Sequence, residues 1–173
     1  MNIPDRGYKP RPAKVLFPMR IRPAKTSDID ELSELTMLSK QSNGYDESFM
    51  EQCRDELRVT EARLKDGEVW VAEANVLCGY ACLNVDPDGV SGEVNAFFVH
   101  PDWKRQGVGK KLWGKILQRA TDQNLERLHL DADPFAVPFY NSIGFKTTRE
   151  TPSGSIPGRM LPYMELHISK PNT

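Results

Sequence analysis

The order of strand-like and helical patterns along this chain predicts an α/β domain, with one mixed sheet carrying helices on both faces. Three observations carry that expectation. Strand-like stretches follow one another at Val69–Ala74, Leu77–Val85 and Glu93–His100. A long helical pattern, a short strand and a short helix then alternate between 107 and 142. Two further strands, Phe145–Glu150 and Pro162–Ile168, close the chain. No internal repeat or second domain interrupts this order, and 173 residues suit one domain with a full core.

Residues 1–18 are proline-rich and basic without periodicity, which predicts a flexible arm; the single domain is expected over 19–173. Met19–Arg22 alternates like a short strand, and Pro23 limits its extension. Thr26, Ser27 and Asp28 offer cap chemistry to a helix carrying Ile29, Leu32, Leu35 and Leu38 at helical spacing. Ser42–Tyr45 breaks that helix, and Asp46–Val59 reads as a second. A short turn at Asn75 joins the first two central strands, and Asp86-Pro87-Asp88-Gly89 marks the turn before the third. In Gly107–Asn124, residues Val108, Leu112, Ile116, Leu117 and Ala120 share one helical face. Arg127–Asp131 is a short strand, and Pro134 suits the opening of a helix over Ala136–Ser142 that Gly144 ends.

Bulk properties exclude several functions. Lys+Arg 23 against Asp+Glu 24 leaves a net charge of −1, so no global field exists for gripping nucleic acid. Cys53, Cys78 and Cys82 lack metal-ligand spacing, so no metal is expected, and their sparseness fits a reducing cytoplasmic setting. Apolar runs fall far short of the ~20 residues a membrane helix needs. No membrane partner is expected, and nothing in the sequence excludes a homodimer.

One segment carries chemistry. Val99–Leu112 contains Lys104, Arg105, Gln106, Gly107, Val108, Gly109 and Lys110 between a strand and a long helix. Glycines one residue apart let the backbone turn and let a bulky anion approach its N–H groups. The helix N-terminus adds unpaired donors and its positive dipole end, so phosphate is the natural ligand. Neither common nucleotide loop fits. A Walker A loop would need Gly at 104 and Ser or Thr at 111, where Lys stands at both. A dinucleotide fingerprint would need Gly at 112, which is Leu.

The segment resembles the coenzyme A motif of the GNAT N-acetyltransferase superfamily. That pattern is a strand ending in Val-x-Pro, here Val99-His100-Pro101, then Gln/Arg-x-x-Gly-x-Gly/Ala, here Lys104 through Gly109. Lys104 keeps the charge of the usual Arg but loses its fork. A later segment, Asp133–Phe145, resembles the family's Asn-x-x-Ala-x-x-Phe-Tyr-x-x-x-Gly-Phe through Ala136, Phe139, Tyr140, Gly144 and Phe145, with Asp133 replacing Asn. The resemblance spans about 19–168. It implies a sheet splayed between the fourth and fifth strands and acetyl-CoA as co-substrate. It also implies an acyl donor held by Phe98, Val99, the 104–110 loop, Asp133 and Phe139.

By the same resemblance Tyr140 is the acid that protonates the departing thiolate, and Glu93 the base for the amine, directly or through water. Strand alternation would put 93, 95, 97 and 99 on one face. The family forms its acceptor site from the regions matching 39–46 and 151–161, where Tyr45 and Arg159 are the large polar groups. Trp70 and Trp113 read as packing residues. The expected acceptor is the primary amine of a small molecule or peptide. A protein N-acetyltransferase and a non-catalytic acyl-CoA sensor are the competing readings.

Overall fold

The computed structural model of the protein describes residues 18–169. The arm expected over 1–18 lies, apart from Pro18, outside them. Seven strands form one sheet: β1 (Arg20–Pro23), β2 (Glu68–Glu73), β3 (Leu77–Val85), β4 (Ser91–Val99), β5 (Arg127–Asp131), β6 (Lys146–Pro152) and β7 (Met160–His167). Their order is β1-β2-β3-β4-β5-β7-β6, and β4–β5 is the one parallel pair among otherwise antiparallel neighbours. The helices are α1 (Ile29–Gln41), α2 (Glu47–Leu57), α3 (Glu61–Asp66), α4 (Val108–Asp122) and α5 (Val137–Ser142). The mixed α/β architecture follows the order of patterns read from the sequence.

Helices cover both faces, each over its own core. Val108, Leu112, Trp113, Ile116 and Ala120 of α4 bury the face the spacing marked, together with Leu128, Leu130, Tyr140, Phe145 and Met164. On the other face Leu32 and Leu35 of α1 pack with Val59, Val71, Tyr80 and Ala96. Trp113 meets Phe145 edge-on at 5.5 Å, a packing role. Trp70 is capped by the Lys115 ammonium at 4.2 Å.

Three local expectations change. Helix α3 is absent from the sequence reading because its six residues, Glu-Ala-Arg-Leu-Lys-Asp, show no apolar period; Thr60 caps it through Arg63 N–H at 3.2 Å. The expected helix over 46–59 instead ends at Leu57, and Arg58 turns extended so that Val59 can enter the core. Asp28 does not cap α1 with its side chain. Its carboxylate accepts from Arg22 at 2.8 and 3.0 Å and from Lys25 N–H at 2.7 Å, while Arg22 also donates to Glu73 at 3.0 Å. That network fastens α1 to the β1–β2 edge. Pro23 stays within β1 because an edge strand can spare its missing donor.

A β-bulge in β4 shapes everything downstream. Cys82 pairs with Ala96 and Leu83 with Val94, so Asn95 has no opposite number on β3. Val94, Phe97 and Val99 consequently pack on the α4 side, and Ala96 and Phe98 on the α1 side. The bulge reverses parity between Val94 and Phe97. Strand alternation then turns Glu93, Val94's neighbour, to the α1 side, correcting the expectation that 93, 95, 97 and 99 share a face.

The Arg22 hydrogen bonds hold the Asp28 carboxyl below its ordinary range despite burial. A lowered folded pKa gives stability that is complete above the unfolded value of about 3.9 and is lost as pH falls through the folded value. Asp28→Asn is therefore expected to lower the melting temperature at pH 7 and to flatten its decline below about pH 4. Parallel acid limbs in melts of wild type and variant would contradict this.

Candidate active site

Strands β4 and β5 pair only at Ser91–Arg127, Gly92–Leu128 and Glu93–His129. Beyond Glu93, β4 runs on to Val99 with the edge facing β5 unpaired by any strand among the described residues. The splay expected between the fourth and fifth strands is this parting. A cavity of about 600 Å³ fills it. Its wall includes Glu93, Phe98, Val99, Lys104, Arg105, Gly107, Val108, Gly109, Lys110, Asp133, Phe139 and Tyr140, all singled out from the sequence.

At one end the chain leaves β4 through a 3₁₀ turn at Pro101–Trp103, whose Asp102 N–H is accepted by His100 Nδ1 at 3.1 Å. Arg105 and Gly107 then take φ of +61° and +82°, and α4 starts at Val108. The first bond of the helix runs from Lys111 N–H to Gly107 carbonyl at 3.1 Å, leaving Val108, Gly109 and Lys110 N–H without intrahelical partners. A left-handed residue before a helix start turns these donors toward one point, the geometry of an anion cradle. Gly109 has a steric reason too: a Cβ there would lie 3.3 Å from the Phe139 ring. Gln106 stands off the cavity, its side-chain amide donating to Asp102 carbonyl at 3.0 Å.

In the middle of the slot, Tyr140 is 7 % exposed and ringed by Phe97, Phe139 and Phe145 at centroid distances of 6.2, 5.4 and 5.7 Å. Burial, then the Asp133 charge, pushes its hydroxyl pKa well above the ordinary value, so it keeps its proton at neutral pH. No other group among the described residues occupies that hydroxyl by hydrogen bonding.

Glu93 stands where the strands part. Burial pushes its carboxyl up; His129 opposes this, and Asp131 and Asp86 add to it. No side chain among the described residues donates to Glu93, because neighbouring His129 is held by Asp86 at 2.6 Å. Around it the wall carries Glu56, Arg63 and Asp131, which the sequence did not single out, and Pro152 and Leu161 of the 151–161 stretch expected to border the acceptor. Among the described residues no group of three His, Cys, Asp or Glu side chains could hold a metal ion.

Asp133 gathers what the sequence left apart. Burial is the largest single influence on its carboxyl and raises it, but the bond and charge of Lys40, with the bonds from Phe135 N–H and Tyr45, together hold it below its ordinary range. Tyr45 donates to it at 3.0 Å, Arg159 stands 3.7 Å away, and Arg159 donates to the Tyr45 oxygen at 2.6 Å. Tyr45 stacks on Phe49 at 4.0 Å, and the Arg159 guanidinium lies 4.9 Å from the Phe49 ring. Tyr45 and Arg159 thus stand behind Asp133, and neither lines the cavity. Lys40, within the 39–46 stretch expected to border the acceptor but not singled out there, does line it; 93 residues from Asp133, its pairing carries no local signal.

The acetyltransferase (GNAT) domain model matches residues 31–156, most of the chain. The chain belongs to the GNAT acetyltransferase domain family. Within that family it is 39 % identical over 49 residues, 28 % of this chain, to an uncharacterized N-acetyltransferase ycf52 of Gracilaria tenuistipitata var. liui. It is 29 % identical over 123 residues, 70 % of this chain, to an uncharacterized N-acetyltransferase ycf52-like of Prochlorococcus marinus. The matched stretches span 27 % and 64 % of those relatives' lengths. The paia N-acetyltransferase of Thermoplasma acidophilum, solved in complex with coenzyme A, shares the GNAT fold at a TM-score of 0.72. It is 20 % identical, over 87 % of this chain and 99 % of its own.

In this GNAT domain, Gly107→Ala forces an L side chain into the left-handed region at a cost of about 1–2 kcal/mol. The expected result is a lower urea midpoint with an unchanged slope. An unmoved midpoint would mean that the loop takes another path.

Proposed function

We propose that the protein is an N-acetyltransferase that moves an acetyl group from acetyl-CoA to the primary amine of a small molecule or peptide. The observation that carries this is the continuous slot between β4 and β5. It runs from the cationic cradle of Lys104, Arg105 and Lys110 past Tyr140 to Glu93. The relative solved with coenzyme A supports the choice of donor.

The 105–110 backbone and its cations would hold the pyrophosphate. The unpaired edge of β4 at Phe98 and Val99 would accept the pantetheine arm as an added strand, and an N–H there would polarise the thioester carbonyl. Glu93, directly or through an ordered water, takes the proton of the attacking amine. Nitrogen bonds to the carbonyl carbon, the C–S bond breaks, and Tyr140 gives its proton to the sulfur. The elevated Glu93 carboxyl suits it to be a base nearer neutral pH than an exposed glutamate. Carboxylates of Glu56, Glu93 and Asp131 against the one Arg63 favour a cationic acceptor. Three free, buried cysteines support a reducing, cytoplasmic setting.

Thermal shift with acetyl-CoA, followed by thiol release over amines, polyamines, amino acids and peptides, tests the proposal. Stabilisation by acetyl-CoA with thiol release for at least one amine is expected. Stabilisation without release for any amine would favour an acyl-CoA sensor, and no stabilisation would remove the coenzyme A reading. Tyr140→Phe is expected to lower kcat about 10²-fold or more while leaving acetyl-CoA affinity unchanged. Because Glu93 acts as a base only when ionised, kcat/KM should fall as pH drops through its raised pKa. Glu93→Gln should abolish that acid limb, and a retained limb would exclude the role.

A further inference from the structure

Lys40 is a cation on the cavity wall to which the proposed chemistry gives no part. Its side chain is only 11 % exposed, and Asp133, its ion-pair partner, is 15 % exposed. An ammonium has three N–H donors. One reaches Asp133 Oδ2, and among the described residues no other atom accepts from it. The Tyr45 and Phe49 rings, 5.1 and 5.9 Å from Nζ, stabilise the charge without replacing an oxygen acceptor. A buried ammonium with donors to spare on a cavity wall is costly unless an oxygen completes it.

Its place along the slot identifies that oxygen. Lys40 lies in the last turn of α1, and the next turn reaches the phosphate cradle, where Lys104 Nζ donates to Ser42 Oγ at 2.6 Å. Its partner Asp133 opens the segment that carries Phe139 and Tyr140. Lys40 therefore lies between the cradle and the proton donor, along the stretch a pantetheine arm must cross, and away from the Glu56–Arg63 end. Asp133 is saturated by Lys40, Tyr45 and Phe135 N–H, with Arg159 nearby. It holds the ammonium and does not itself offer a donor.

Resting on the coenzyme A reading above, we propose that Lys40 is a further binding residue. Its ammonium, aimed by Asp133, donates to a carbonyl or hydroxyl oxygen on the pantetheine arm of the acyl donor.

Titration calorimetry with two ligands tests this. Acetyl-CoA contains the arm; 3′,5′-ADP keeps the nucleotide with its 3′-phosphate and the first of the two bridging phosphates, and lacks the arm. Lys40→Met should weaken acetyl-CoA by about tenfold, the loss of a charge-assisted bond, and leave 3′,5′-ADP affinity unchanged. Lys40→Gln, equally uncharged but still a donor, should recover part of the loss. Equal weakening of both ligands, equal losses in the Met and Gln variants, or unchanged acetyl-CoA affinity would each overturn the assignment. Should Lys40→Met fail to fold, the Gln variant alone decides: weakening for acetyl-CoA only supports the role, and any other pattern overturns it. A wild-type protein that binds neither ligand defeats the coenzyme A reading, and this assignment with it. Wild-type binding of acetyl-CoA accompanied by any of the overturning variant patterns defeats the Lys40 assignment alone.

Discussion

The site depends on where β4 stops pairing with β5. A parallel pair that continued past Glu93–His129 would close the sheet and leave no slot. The bulge at Asn95 twists β4 as its pairing with β5 ends and reverses which side chains face α4. Phe97 can then join Phe139 and Tyr140 on one side, while Glu93 stands on the other. An interruption of one residue in the ladder thus supplies an unpaired edge, an apolar cage for the tyrosine and a part-buried carboxylate.

Charge along the slot is graded. Near-zero net charge for the whole chain hides a cationic end at Lys104, Arg105 and Lys110 and a largely acidic end at Glu56, Glu93 and Asp131. Between them Asp133 binds Lys40 and stands near Arg159, tying α1, the α1–α2 loop and the β6–β7 loop to the end of β5. Such a network is worth more than an exposed ion pair, because its members are mostly buried and share hydrogen bonds. Its effect is to fix the middle of the slot before any ligand arrives.

Much of this was legible in the sequence because it is local. The α4 face was readable from Val108, Leu112, Ile116 and Ala120, and the anion cradle from Gly107 and Gly109 beside three cations. Both motifs fall within short windows. The β4 bulge was not legible, since Asn95 looks like any outward residue of an alternating strand. Helix α3 lacks an apolar period and is held by Thr60 and its packing beside β2. Asp28 reads as a cap of α1 in any local window, yet Arg22 and the Lys25 N–H claim its carboxylate. Lys40, Tyr45 and Arg159 converge on Asp133 from three distant segments, and convergence of that kind leaves no spacing to read.

The central claim is that one ligand spans the cradle and the unpaired β4 edge together. Amide hydrogen exchange with and without acetyl-CoA tests it most directly. The account predicts slowed exchange in both Gly107–Lys110 and Phe98–Val99, with β1 and β2 unaffected. Slowing in neither stretch, or in the loop alone, would contradict it.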